Sequence, residues 1–242
     1  MKIATIRGIP IHLHWSFLGL MAIIVGGAVM QIGLPALLPA TLLALGLCAT
    51  VALHELGHAI AAQRYGYPTH DITLYFFGGI ASIEATDEIA DDPDEELVIA
   101  LAGPAVNFGL VVVFGWFGLV GIESPVLSAL ASMNLIMGLF NMLPAFPMDG
   151  GRVLRALLAK RMGWLPASKL AMTIGYGFAV LFVVLGLVLW APTIIAVGAF
   201  LFVALRQEKE RLVAANFERA SSGRDGDGWS RAKTSAGLIG PF

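Results

Sequence analysis

His54, Glu55 and His58 stand in the stretch His54-Glu55-Leu56-Gly57-His58, an HExxH spacing. On a helix, positions i and i+4 share a face, so the two imidazoles can reach one metal ion together. Glu55 then sits where a carboxylate can take the proton of a water activated by that metal, the arrangement of zinc peptidases. The surroundings make the motif informative. Pro39 to Leu53 before it and Ala59 to Ala62 after it are almost wholly apolar, up to Gln63-Arg64. Three ionisable groups therefore lie within one long hydrophobic helix, where each costs about 2.5–3.5 kcal/mol at a bilayer centre. A chance HExxH on a solvated helix carries no such cost, so this one reads as a metal site.

Catalytic zinc takes three protein ligands and keeps a position open. The third ligand must be His, Asp, Glu or Cys at similar depth. His54 lies ten residues before Arg64, about 15 Å from that helix end at 1.5 Å per residue. Asp149 follows Pro144 and Pro147, which cannot continue a helix, and precedes Arg152 by three residues. Open backbone at membrane depth is tolerated only against protein or water. Such an opening lets Asp149 fold back toward the metal. Asp149 also suits the cap of a helix beginning near Gly150, but an acid after a broken membrane helix favours the ligand role. Glu84 and Glu123 read as interfacial and solvated. Asn134 and Asn141 either orient substrate or Asp149, or join helices. His12 and His14, beside Trp15, read as interfacial anchors. Cys48 is the single cysteine, so no internal disulfide and no Cys-rich zinc site can form; it reads as packing.

The elements that must position these residues are membrane helices. Of the 242 residues 57% are hydrophobic and 13% charged, with mean hydropathy +0.81, far more apolar than a soluble domain. The net charge of −2 leaves no basic footprint for nucleic acid. The expected fold class is an all-α polytopic membrane protein. It has about six transmembrane helices and a small β-hairpin or sheet at the cytoplasmic interface. The spans run near 15–30, 40–64, 97–120, 126–143, 167–189 and 192–205, with a further helix over Gly151–Met162. Residues 1–14 suggest a surface strand. Residues 67–85 alternate and are aromatic, suggesting strands with Gly78-Gly79 as the turn. The acidic stretch Glu84–Glu96 reads as a solvated loop. Residues 1–217 form the transmembrane core and 218–242 a disordered cytoplasmic tail. With six spans, all 15 Lys and Arg residues fall on one side. The positive-inside rule makes that side, with both termini, cytoplasmic, and the protein a multi-pass protein of the cell membrane.

HELGH inside a span, Ala102-Gly103-Pro104 followed by Asn107, and the segment Asn141 to Gly151 with Pro144, Pro147 and Asp149 together resemble the site-2 protease family of intramembrane zinc metalloproteases. The N-terminal GIPIHLHWSF and the stretch YFFGGIA are also similar to its bacterial and archaeal branch. The resemblance covers residues 1 to about 205. It implies one Zn²⁺ per chain held by His54, His58 and Asp149, Glu55 as catalytic base, and Asn141 holding substrate. It implies a transmembrane-helix protein as substrate, such as a membrane-anchored anti-sigma factor or precursor. The PDZ and CBS modules of many members have no room in this chain. A strand edge in the 67–85 hairpin, around Phe77, Gly78 and Gly79, is expected to pair with the unwound substrate. The competing class is a zinc transporter or a non-proteolytic metal-binding scaffold, which would use the same ligands without needing Glu55 as a base. A transporter would be expected to show repeat symmetry or a second polar half-site, and neither is visible.

Overall fold

The computed structural model describes residues 1–76, 78–83, 89–90 and 92–221. The tail beyond Ser221, most of the acidic 84–91 stretch and Phe77 lie outside the described residues.

The N-terminus forms two strands where one was expected: β1 (Lys2–Ile6) and β2 (Ile9–Leu13). Arg7 and Gly8 between them have φ of 51° and 83°. Two successive positive φ values suit the tight turn that matches strand twist. In β2, Ile9, Ile11 and Leu13 are buried while Pro10 and His12 are not. β2 then pairs in parallel with β3 (Thr69–Tyr75), and β3 pairs antiparallel with β4 (Gly78–Ile83). The order is β1-β2-β3-β4, so β3 is interior and β4 is an edge. Gly78 and Gly79 are thus the first residues of β4, paired with Tyr75 and Leu74, rather than the turn itself. Ile72 and Leu74 share the buried face with the β2 isoleucines, against Val51, Leu56 and Ala59 of the helix over residues 37–64. Each such side chain contributes about 1.5–3 kcal/mol on full burial. The sheet is therefore clamped onto the helix that carries HExxH.

The rest is helical: α1 (Trp15–Ile32), α2 (Leu37–Arg64), α3 (Pro93–Leu119), α4 (Pro125–Asn141), α5 (Asp149–Met162), α6 (Trp164–Val188) and α7 (Pro192–Ser221). Among the described residues four stretches are long and apolar enough to cross a membrane: α1, α2 with the 3₁₀ turn before it, α3 and α6. α4 is apolar but has only 17 residues. α7 runs unbroken from an apolar half into a charged half beginning at Arg206, well past the expected end near Leu205.

α2 is the hub, packed by α1, α3, α4 and the sheet. Close approach is bought by glycine. A Cβ at Gly57 would lie 2.8 Å from the Ala102 carbonyl oxygen of α3.

The acidic stretch needs correction at its C-terminal end. Asp92 caps α3, accepting from the Asp94 and Glu95 amides, and Pro93 takes the first helical position, where its missing N–H costs nothing. That start turns Glu96 inward. It is fully buried and accepts from Arg155 Nε at 2.9 Å and from Arg155 Nη2. Arg155 also lies over the Phe146 ring, 5.0 Å from its centroid. The charge run is solvated only in part; its last member ties α3 to α5.

Candidate metal centre

α2 contributes His54 and His58, both buried, and α5 contributes Asp149. Met148 is the residue flanking α5, in extended conformation with no side-chain cap bond. Asp149 is therefore the first helical residue, and its carboxylate is not used as the cap. Its Oδ2 lies 3.2 Å from His54 Nε2 and 3.3 Å from His58 Nε2. The two Nε2 atoms are themselves 3.2 Å apart.

What stands behind each ring fixes what it presents. His58 Nδ1 is 2.7 Å from the Ile99 carbonyl oxygen, which can only accept, so Nδ1 carries the proton. His54 Nδ1 is 2.5 Å from Asn107 Oδ1. The Asn107 amide is oriented from further back. Asn134 Nδ2 donates to the Leu130 carbonyl at 2.8 Å and to Thr50 Oγ1 at 3.2 Å. Asn134 Oδ1 is left to accept from Asn107 Nδ2 at 3.1 Å. Asn107 Oδ1 therefore faces His54 as an acceptor, and the His54 proton is also on Nδ1. Both rings turn Nε2 lone pairs toward a carboxylate oxygen that has no hydrogen-bond partner.

Ligand atoms of the three residues all lie within 4.8 Å of one another, with no proton available among them. Such atoms repel unless a cation is shared. Two imidazoles and one carboxylate, with rings oriented by their second nitrogens, fit zinc. Buried acceptors facing each other are the observation that makes the donor set suit the metal.

Glycines shape the walls. A Cβ at Gly103 would lie 2.2 Å from His58 Nε2. Cβ atoms at Gly150 and Gly151 would meet the Leu143 carbonyl oxygen at 2.3 Å and the Phe146 nitrogen at 2.4 Å. The bare backbone of Gly150-Gly151 lets α5 begin directly against the proline loop, which brings Asp149 to the histidines. A Cβ at Gly79 would lie 2.3 Å from Glu55 Cγ, so β4 runs against the Glu55 side chain.

Gly78, Gly79 and Asn141 line one cleft of about 550 Å³ with His54, Glu55, His58 and Asp149. Phe77 lies outside the described residues. Asn134 is a buried joint between α2, α3 and α4. His14 caps α1, accepting from the Ser16 amide, and His12 lies 3.5 Å from Asp71; neither belongs to the ligand cluster. Cys48 packs against the core between the sheet and α2. The roles of Asn107, Gly103 and Glu96 were not read from sequence. An asparagine inside an apolar span is a signal that a polar partner exists, but not which one.

Long apolar helices around a buried cluster of two histidines and one aspartate define a multi-pass membrane protein with a candidate metal centre. The model of peptidase family M50 matches residues 42–126 and 120–185, and the chain belongs to that family. A zinc metalloprotease of Methanocaldococcus jannaschii is 36% identical over 212 residues, covering 86% of this chain and 60% of the relative. Rip3 of Mycobacterium tuberculosis, which carries a provisional zinc-metalloprotease name, is 33% identical over 235 residues, covering 88% and 59%. The solved site-2 protease of Methanocaldococcus jannaschii is 35% identical and superposes with a TM-score of 0.65, covering 86% of this chain and 94% of that one. The chain spans about 60% of the length of the curated relatives it matches. The site-2 protease resemblance and its zinc are borne out at the level of the family.

Proposed function

We propose that the protein is an intramembrane zinc metalloendopeptidase that hydrolyses peptide bonds within or near transmembrane helices of membrane-anchored proteins, an anti-sigma factor or precursor being the type of substrate expected. The observation that carries this reading is the set of three converging acceptors beside Glu55, enclosed by apolar helices.

His54, His58 and Asp149 would hold the zinc, which when bound supplies Lewis acidity to activate water and polarise the scissile carbonyl. Glu55 takes the proton of the attacking water and returns it to the nitrogen of the leaving amine. Asn107 and the Ile99 carbonyl keep the imidazole rings aimed. Asn141, on the cleft wall, offers an amide to the substrate backbone.

A helical substrate has its backbone satisfied internally and must unwind before cleavage. Its freed N–H and C=O groups find no partners in hydrocarbon. The outer side of β4 around Gly79 to Ala81, which runs against Glu55, supplies them and holds the chain extended. In the membrane we place six spans, with α4 and the apolar half of α7 added to the four long helices, and both termini in the cytoplasm. The 15 basic residues then share one side.

Co-expression with candidate single-span regulators tests the reading, comparing wild type with Glu55→Gln. Cleavage by wild type alone supports it. Zinc flux into vesicles without any proteolysis would favour the transporter class instead.

A further inference from the structure

Among the described residues Arg152 is the one Lys or Arg on the wall of the catalytic cleft, and its side chain is 20% exposed. It stands one turn after Asp149 on α5. Among the described residues its nearest anion is Glu96, but Nε is 4.0 Å from Glu96 Oε1, too far for a hydrogen bond. That oxygen is already taken by two nitrogens of Arg155. Among the described residues Arg152 makes no hydrogen bond, although guanidinium carries five N–H donors. A mostly buried group with that many idle donors is costly unless something else accepts them.

The charge count points the same way. Arg155 and Arg152 both face the single buried carboxylate of Glu96, so among the described residues one guanidinium charge is left over. In the site itself, a divalent zinc would be balanced by Asp149 and Glu55. The cleft as a whole then carries one excess positive charge, placed on a planar fork suited to a carboxylate.

We infer that Arg152 is a specificity residue that binds a carboxylate of the polypeptide in the cleft. This rests on the protease reading for the nature of the ligand, but not for the anion subsite. Two carboxylates have the required chemistry: an acidic side chain beside the cut, and the new C-terminal carboxylate of the released fragment. The first would make Arg152 a selector of substrates; the second would make it a retainer of product.

The test uses the full chain, zinc-loaded in detergent, with Glu55→Gln to prevent turnover. The probes are a Leu/Ala model transmembrane helix with a central Asn-Gly and either Glu or Gln at each of four positions on either side. A second pair is the N-terminal half of that helix ending in a carboxylate or an amide. Expected is a preference of about tenfold or more for the carboxylate member of at least one pair. Arg152→Gln should erase that preference while binding the neutral members unchanged, and Arg152→Lys should keep part of it. A Glu-over-Gln preference identifies a side-chain subsite; an acid-over-amide preference identifies a product subsite.

Equal weakening of charged and neutral probes by Arg152→Gln would mean that Arg152 only supports Glu96, and would overturn the inference. So would the absence of any carboxylate preference in the parent protein. Cleavage of the neutral helix by wild type is measured alongside. If it occurs without a carboxylate preference, Arg152 loses its role and the protease reading stands. If the preference is present and no helix is cut, the anion subsite stands and the protease reading falls.

Discussion

A methyl group on Gly103 would lie 2.2 Å from Nε2 of His58, the atom that turns toward the metal position. α3 passes so close to the two imidazoles that only a bare backbone fits. The small residues of Ala102-Gly103-Pro104 thus have a chemical consequence as well as a packing one.

Gly103→Ala should therefore displace His58 or push α3 away, and zinc is the property that reports it. Elemental analysis of purified protein should find zinc falling from about one per chain to a small fraction of that, since one of the three proposed ligands is lost. Full zinc in a folded Gly103→Ala protein would show that the wall can yield.

The His54 ring is oriented through two amides, ending at the Leu130 carbonyl. Asn107→Leu removes the acceptor for the Nδ1 proton and should weaken zinc binding about 10–100-fold, the usual effect of losing a partner of a metal-bound histidine. Asn134→Leu acts one step further back and should weaken it less. Competition with a chelator measures both. Unaltered affinity in Asn107→Leu would mean that packing alone orients the ring.

Glu55→Gln keeps size and hydrogen bonding but cannot take a proton. Cleavage should fall by at least about 10²–10⁴-fold while zinc stays bound. Joint loss of zinc and activity would instead make Glu55 part of the metal's support.

Glu96 and Arg155 form a buried pair bridging α3 and α5. Removing one partner strands a charge, so Glu96→Ala should cost about 3–5 kcal/mol. Replacing both, Glu96→Leu with Arg155→Met, should recover most of that. Thermal unfolding in detergent measures the series. A double variant no more stable than the single would show that the loss is one of packing.

What the sequence made legible, and what it did not, follows from range. HExxH and the four long apolar helices among the described residues are local: period, length and apolarity are properties of neighbouring residues. Asp149 was within reach because Pro144 and Pro147 announce an opened backbone. The partners of Glu96 and His54 were not. Arg155 lies 59 residues from Glu96, and Asn107 lies 53 from His54. A charge run gives no hint that its last member is buried by a distant helix. The sheet shows the same limit. Its alternation is local, whereas the parallel pairing of β2 with β3 joins Ile11 to Ile72 across two helices. That pairing makes β3 interior.

The interior place of β3 changes which strand can be tested for substrate pairing. Leu74 is fully buried and lies between two partners, so proline there would break the sheet rather than blunt an edge. Among the described residues β4 is the outer strand beside the cleft, and Ile80 and Ala81 pair on its inner side with Thr73 and Ile72. Along a strand successive N–H groups point to opposite sides, so one of these two residues faces its N–H outward. Proline at the outward position removes a donor that a substrate strand would use and leaves the β3 ladder intact. Proline at the inward position removes a ladder bond and should lower stability. Of Ile80→Pro and Ala81→Pro, one should therefore fold with normal zinc content and cut a model transmembrane helix at least about tenfold more slowly, as expected for losing a main-chain bond worth about 0.5–1.5 kcal/mol together with the extended geometry it fixes. The other should show the lower unfolding temperature. Normal cleavage by the stable variant would remove β4 from substrate binding while leaving His54, Glu55, His58 and Asp149 in their proposed roles.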